Sequence, residues 1–310
     1  MLVVFGALLP VVMLLGLGYG ARAAGFVSPR IWSALEWLTY YILIPSFLIH
    51  ALGHRPPEPA VIGGMASGIL GVSLCMTLAL WAVPVLFPAC DRAAFTSVFQ
   101  GVIRGNTFIA LGVAEGLWGP PGLALVAAAA GVTVILFNVL CVGTLSVSLV
   151  QAQGTWHLVL NITLALARNP LIWACVIGWA VGTGVISVTT GLMDGLGLAG
   201  AAAVPMALLV AGSGLRFGPL GASWLMEALS SLLKLLIMPA GGVLAAHLLG
   251  LEGMVRAVVI LMLALPAPPS AYVLARQMGG DAPLMARIIS LQMILAFFTL
   301  PATVLVADML

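Results

Sequence analysis

Residues 264–272 read Ala-Leu-Pro-Ala-Pro-Pro-Ser-Ala-Tyr, three prolines inside an otherwise apolar run near the C-terminal end of a 310-residue chain. Proline lacks a backbone donor, clashes with the carbonyl four residues back and biases the preceding residue away from helix. A helix entering this stretch should stop near Leu265 and restart near Ser270. The surrounding composition identifies the medium. Hydrophobic residues make up 63% of the chain and charged residues 6%, which leaves too little polar surface to cover a soluble globule. Apolar segments of about 18 to 28 residues recur along nearly the whole length, each long enough to cross a hydrocarbon core as an α-helix. No alternating ten-residue pattern argues for a β-barrel. The fold class is therefore an all-α polytopic membrane protein.

The apolar pattern predicts ten spans, at 2–21, 32–52, 60–87, 93–117, 121–149, 170–188, 196–215, 222–249, 254–277 and 284–307. The first is too long for a signal-peptide core and lacks a basic leader, so it reads as a span. Connectors are short and rich in turn residues, such as Gly-Pro-Pro-Gly at 119–122 and Gly-Gly-Asp-Ala-Pro at 279–283. The longest, 151–169, carries Trp156, His157 and Arg168 among leucines and reads as an interfacial linker between halves. Loops after odd-numbered spans, with the span ends that flank them, hold Arg22, Arg30, Arg92, Arg168, Arg216, Arg276 and Arg287, whereas those after even-numbered spans hold only Arg55 and Arg256. This bias places the odd loops in the cytoplasm and both termini outside.

A shift of 160 residues superimposes Pro10 on Pro170, Gly18 on Gly178, Pro45 on Pro205 and Gly119 on Gly279. Spans one to five then fall on spans six to ten. With an odd number of spans per unit, the second repeat (170–310) must be inverted relative to the first (1–150), an arrangement common among secondary transporters. Under the same shift Pro266 falls on Asn106, within Arg104-Gly105-Asn106-Thr107 of span four. Ala93 to Arg104 and Met254 to Leu265 are both 12 residues, which puts both interruptions roughly 17 to 18 Å along their helices, near the midplane. Ser270 is expected to cap the second restart, and Asn106 or Thr107 the first. Freed backbone groups at that depth need protein or a water-filled cavity. The N-termini of the restarting half-helices favour an anion there.

The order and spacing of several stretches resemble the auxin efflux carrier family of membrane transporters, which includes bacterial malate and malonate permeases. These stretches are Leu-Gly-Leu-Gly-Tyr at 15–19 with Gly25-Phe26, Arg104 to Thr107 followed by Trp118-Gly119, Asn169-Pro170, Lys234-Leu235 with Pro239, and Ala264 through Tyr272 to Arg276 and Gly279-Gly280-Asp281. The likeness covers nearly the whole chain. It implies two inverted five-helix repeats with spans four and nine as broken crossover helices, and transport of small organic anions such as carboxylates. It also implies a substrate region at Asn106, Thr107 and Pro266 to Ser270, with Tyr272 beside them.

Other polar residues keep two roles open. Arg104 can bind a carboxylate through its fork of donors or neutralise carbonyls at the end of the first half-helix. Lys234 can stand in for a cation that holds the broken helices together, or accept a proton during transport. Glu115 is a candidate for proton coupling or an interfacial acid, and Asn138 can line the cavity or bond a neighbouring helix. No aspartate lies in a span core, so the coupling ion, proton or sodium, stays open, as does uniport. The four cysteines lack a disulfide or metal pattern, no cofactor or structural metal is expected, and a net charge of +2 gives no footprint for nucleic acid. The expected partners are a small organic anion, a coupling ion and the bilayer, and a homodimer is compatible with the sequence. An enzyme such as an intramembrane aspartyl protease would need two membrane aspartates and is rejected. A sodium-coupled bile-acid-type symporter and a non-transporting sensor of organic anions remain as alternatives.

Overall fold

The computed structural model describes residues 2–54, 56–87, 90–149, 159–160, 163–164, 166–215 and 223–309. Arg55, Arg216 and residues 151–158 of the expected linker, with Trp156 and His157, lie outside the described residues. Among those described, every regular element is helical. The helices are α1 (Leu2–Ala23), α2 (Pro29–Leu38), α3 (Ile44–His54), α4 (Pro59–Leu80), α5 (Val83–Leu86), α6 (Arg92–Ile103), α7 (Thr107–Leu149) and α8 (Pro170–Gly182). They continue as α9 (Thr190–Ala201), α10 (Ala203–Ser213), α11 (Trp224–Leu232), α12 (Met238–Leu248), α13 (Gly253–Ala264), α14 (Ser270–Met278) and α15 (Ala282–Met309). Single π-helical turns, Thr39–Leu43 and Leu233–Ile237, join α2 to α3 and α11 to α12. Among the described residues, six helical stretches are long and apolar enough to cross a membrane: Pro29–His54, Pro59–Leu86, Arg92–Leu149, Thr190–Ser213, Trp224–Leu248 and Ala282–Ala307. Leu9–Ala23, Pro170–Gly182 and Gly253–Ala264 are shorter apolar helices.

Local chemistry sets the helix ends. Asn169 caps α8 through Oδ1, which accepts from the Leu171 N–H at 2.9 Å, with Pro170 at the first helical position where its missing donor costs nothing. The same helix ends at Gly182, earlier than the expected 188. Gly184 adopts φ +78°, and Gly184 and Ile186 N–H groups return to the Val181 and Ala180 carbonyls. A glycine-based C-cap overrides an apolar run that would otherwise support further turns. The next helix starts at Thr190, ahead of the expected 196.

The chain divides into two compact units, each drawn from both halves of the sequence. One holds Met1–Gly63, Thr107–Val134 and Arg168–Gly214, and the other Gly64–Asn106, Ile135–Ala167 and Leu215–Leu310. In the first, α1 and α10 meet backbone to backbone: a Cβ at Gly18 would run into the Leu209 carbonyl, and one at Gly212 into the Leu15 carbonyl. Small residues permit this approach, where lipid supplies no hydrophobic drive between helices. Arg22 closes the contact by donating from Nη1 to the Ser213 carbonyl at 2.5 Å, at the C-terminal end of α10. In the second unit, α6 from Phe95 to Ile103 and α13 from Ala257 to Ala264 are buried on every face. Helices apolar all round belong inside a structure, and these two form its core.

Candidate functional site at two helix breaks

The buried helices α6 and α13 are each 12 residues long, and both begin and end 161 positions apart. Each lies one residue earlier than the sequence pattern suggests. Asp91 caps α6, its Oδ1 accepting from the Ala94 N–H at 2.7 Å. Both helices end on an extended residue, Arg104 (φ −73°, ψ 142°) and Leu265 (φ −65°, ψ 136°). The chain resumes as helix at Thr107 and Ser270. The resumed segments are interrupted at glycines of positive φ 160 positions apart, Gly119 at +58° and Gly279 at +82°.

The two breaks touch. The Asn106 N–H donates to the Pro266 carbonyl at 2.8 Å. A Cβ at Gly105 would sit 3.3 Å from both the Met262 carbonyl oxygen and Leu265 Cβ, so glycine lets the strands of backbone come together. Arg104 then spans the gap, donating from Nη1 to Asn138 Oδ1 and from Nη2 to Ser270 Oγ, both at 3.3 Å. Its side chain is half-buried, whereas Asn106 is fully buried. Ser270 does not cap its helix as expected. Pro269 takes the N-cap position, Ser270 is the first helical residue, and its hydroxyl is turned to Arg104. The run Pro268-Pro269 already sets the turn, with Ala271 and Tyr272 N–H groups bonding to the Pro268 and Pro269 carbonyls.

Where α6 stops, its last carbonyls lose their helical donors. Lys234, carried on the π-helical turn Leu233–Ile237, donates from Nζ to the Ile103 carbonyl at 3.4 Å. Its ammonium lies 5.8 Å from the Phe137 ring centroid, and the residue is wholly buried. Gln292 of α15 donates from Nε2 to the Gly101 carbonyl at 3.0 Å and to Ser230, and its Oε1 accepts from the Ala267 N–H at 2.8 Å. One buried amide thus serves both breaks. Among the described residues the one ion pair is Glu227 with Arg287, 2.6 Å apart. Arg104 and Lys234 bond to neutral acceptors, and among the described residues neither pairs with a carboxylate.

The structure therefore brings together Arg104, Asn106, Asn138, Pro266 and Ser270, with Lys234 immediately behind. Thr107 is half-buried at the helix restart, and Tyr272 is exposed on α14. Glu115 is exposed on α7, in the other unit. Sequence reasoning missed Gln292, Ser230 and the pair Glu227–Arg287. The signal was available for Gln292, since an amide in the middle of a membrane span is costly unless it bonds a neighbour.

A bundle of apolar helices whose buried members break against each other, with cations held at the break, defines a polytopic membrane transporter. Residues 3–304 match the profile of the membrane transport protein family, and the chain belongs to that family, the auxin efflux carriers. An uncharacterized transporter of Methanothermobacter thermautotrophicus is 25% identical over 304 residues, covering 94% of this chain and 95% of that protein.

Proposed function

We propose that this transporter is a secondary carrier for small organic anions, carboxylates above all, working by alternating access. The observation that carries the reading is Arg104. A half-buried guanidinium lies between two helix breaks, bonds to the neutral side chains of Asn138 and Ser270 with the Cys141 thiol beside it, and forms no ion pair with a carboxylate among the described residues. A carboxylate can displace both acceptors and take the two terminal nitrogens as a bidentate pair, a stronger interaction than either neutral bond. Asn106 and the half-helix N-terminus at Ser270 would then face the anion. Lys234 acts as a fixed cation at the end of α6, in place of a bound metal ion.

Two inverted repeats, 1–150 and 170–310, fit the matched lengths of α6 and α13, their extended final residues and the positive-φ glycines 160 positions apart. On this reading α6 with the start of α7, and α13 with α14, are the crossover helices. The chain lies in a bacterial inner membrane with both termini periplasmic. The test is uptake by proteoliposomes of labelled pyruvate, lactate, malonate and malate, with proton and sodium gradients imposed in turn. Wild type should concentrate or exchange at least one acid. Arg104→Gln should lose at least tenfold in rate at low substrate, and Arg104→Lys, which keeps the charge but not the fork, should stay impaired. Full activity of Arg104→Gln would remove the anion from this site.

A further inference from the structure

Gln292 occupies a position that neither the family match nor the anion reading assigns. It is fully buried on α15. Its amide reaches Gly101 on one side and Ala267 on the other. Those positions are related: Arg104 follows Gly101 by three residues, and Ser270 follows Ala267 by three. The same amide therefore grips each chain one short step upstream of the two side chains that meet across the gap. Both ends of the grip involve groups with no helical partner, a carbonyl released where α6 ends and an N–H released between Pro266 and Pro268. Ser230 fixes the amide from a third side: its carbonyl and hydroxyl accept from Nε2 at 3.4 and 3.3 Å, and its hydroxyl donates to the Val98 carbonyl of α6 at 3.4 Å. Gly101 is packed so closely on Ser230 and Ile288 that a Cβ there would lie 2.5 Å from Ser230 Oγ and 2.7 Å from Ile288 Cγ2.

We infer that Gln292 is a positioning residue: its amide holds the two breaks in one register, so that Arg104 and Ser270 meet in the geometry that receives the anion. The inference rests on the anion reading for its consequence, but not for its geometry. An amide suits the task because it offers a donor and an acceptor at once, at a spacing that matches a carbonyl on one break and an N–H on the other. A leucine of similar volume would fill the space and leave both groups without a partner.

The test uses the full chain in nanodiscs. Amide hydrogen exchange is followed by mass spectrometry in wild type, Gln292→Leu and Gln292→Asn, whose amide falls one methylene short. Both variants should speed exchange at Ala267 and Asn106 by at least tenfold, with rates in α1, α3 and α10 within a factor of two of wild type. Uptake of pyruvate and malonate should show a half-saturation raised by about tenfold with the maximal rate changed less than threefold. Wild-type exchange at Ala267 and Asn106 in a folded variant would overturn the inference. So would equal acceleration throughout the chain, which marks a general structural role, or a fall in maximal rate at unchanged half-saturation. Should Gln292→Leu fail to purify, Gln292→Asn carries the same expectations. Altered exchange without any carboxylate flux in wild type would leave the grip standing and refute the anion reading instead.

Discussion

Replacing Lys234 by Ala and, separately, by Met asks what a buried ammonium that pairs with no carboxylate among the described residues does at the end of a half-helix. The residue has no exposure, and its Nζ meets the Ile103 carbonyl at 3.4 Å and the Phe137 face at 5.8 Å. Truncation to Ala removes roughly three buried methylenes and leaves a cavity, a cost of about 2–4 kcal/mol. The Ile103 carbonyl loses its donor at about 1 kcal/mol, the low end of the usual range because 3.4 Å is a long bond. Loss of the favourable helix-end and aromatic contacts adds about 2 kcal/mol. Against these stands the relief of a buried charge, about 4 kcal/mol after relaxation. Lys234→Ala should therefore be less stable by about 1–3 kcal/mol, a fall of roughly 5 °C in apparent melting temperature. Met fills the space, so Lys234→Met should melt within a few degrees of wild type. Both changes leave the negative end of α6 uncompensated, and on the proposed anion reading this should weaken carboxylate binding by about 1–2 kcal/mol, or roughly tenfold. Tryptophan fluorescence in nanodiscs and proteoliposome uptake measure the two effects. An Ala variant that melts with wild type refutes the structural role. A Met variant with wild-type half-saturation refutes the electrostatic one.

Asn106→Ala should abolish uptake without unfolding the protein, since the bond that ties the breaks comes from its main-chain N–H; retention of near-normal flux in the purified variant would free the site of that side chain. Glu227→Gln strands the partly buried Arg287, and breaking this pair should cost about 2–4 kcal/mol, read as a lowered melting temperature that Glu227→Gln/Arg287→Met largely restores. Gly18→Val drives side-chain carbon into the Leu209 backbone and should separate α1 from α10, at a cost of at least about 3 kcal/mol. Poor expression or early thermal aggregation reports it, and a normally stable variant would contradict the close approach.

Much of the second unit's core could be read from the chain alone, because breakers act locally. Three prolines and an Arg-Gly-Asn run located both interruptions to within one residue, and the matched 12-residue lengths came with them. Local signals also misled where two competed. The apolar residues after Gly182 extended the expected helix to 188, although the glycine-based cap stops it. Ser270 has the chemistry of an N-cap, yet a proline preset the turn and released the hydroxyl for Arg104. What could not be read was partnership across distance. Glu227 and Arg287 are 60 positions apart, and Gln292 reaches a carbonyl 191 positions away. A sequence marks such groups as expensive in an apolar span without saying which neighbour offsets the cost. Nor does it show that residues 1–63 assemble with 168–214, since that grouping depends on glycine contacts such as Gly18 at Leu209.

The three prolines follow from an accounting of donors. Between Leu265 and Ser270 a chain without proline would present four interior N–H groups to a medium with no water to receive them. Pro266, Pro268 and Pro269 delete three, and the remaining one, on Ala267, goes to Gln292. Their carbonyls remain, so this break is rich in acceptors, and Pro266 takes the Asn106 N–H. The first break is its complement. It contains no proline, its Gly105 permits contact, and its Arg104 and Asn106 supply donors across the gap. The two interruptions, which follow helices of equal length, are thus chemically unequal, one giving and one receiving hydrogen bonds. Such a pair can satisfy its own backbone without spending Arg104 on it. With Lys234 and Gln292 already serving the end of α6, the guanidinium is left on neutral partners that a carboxylate can replace.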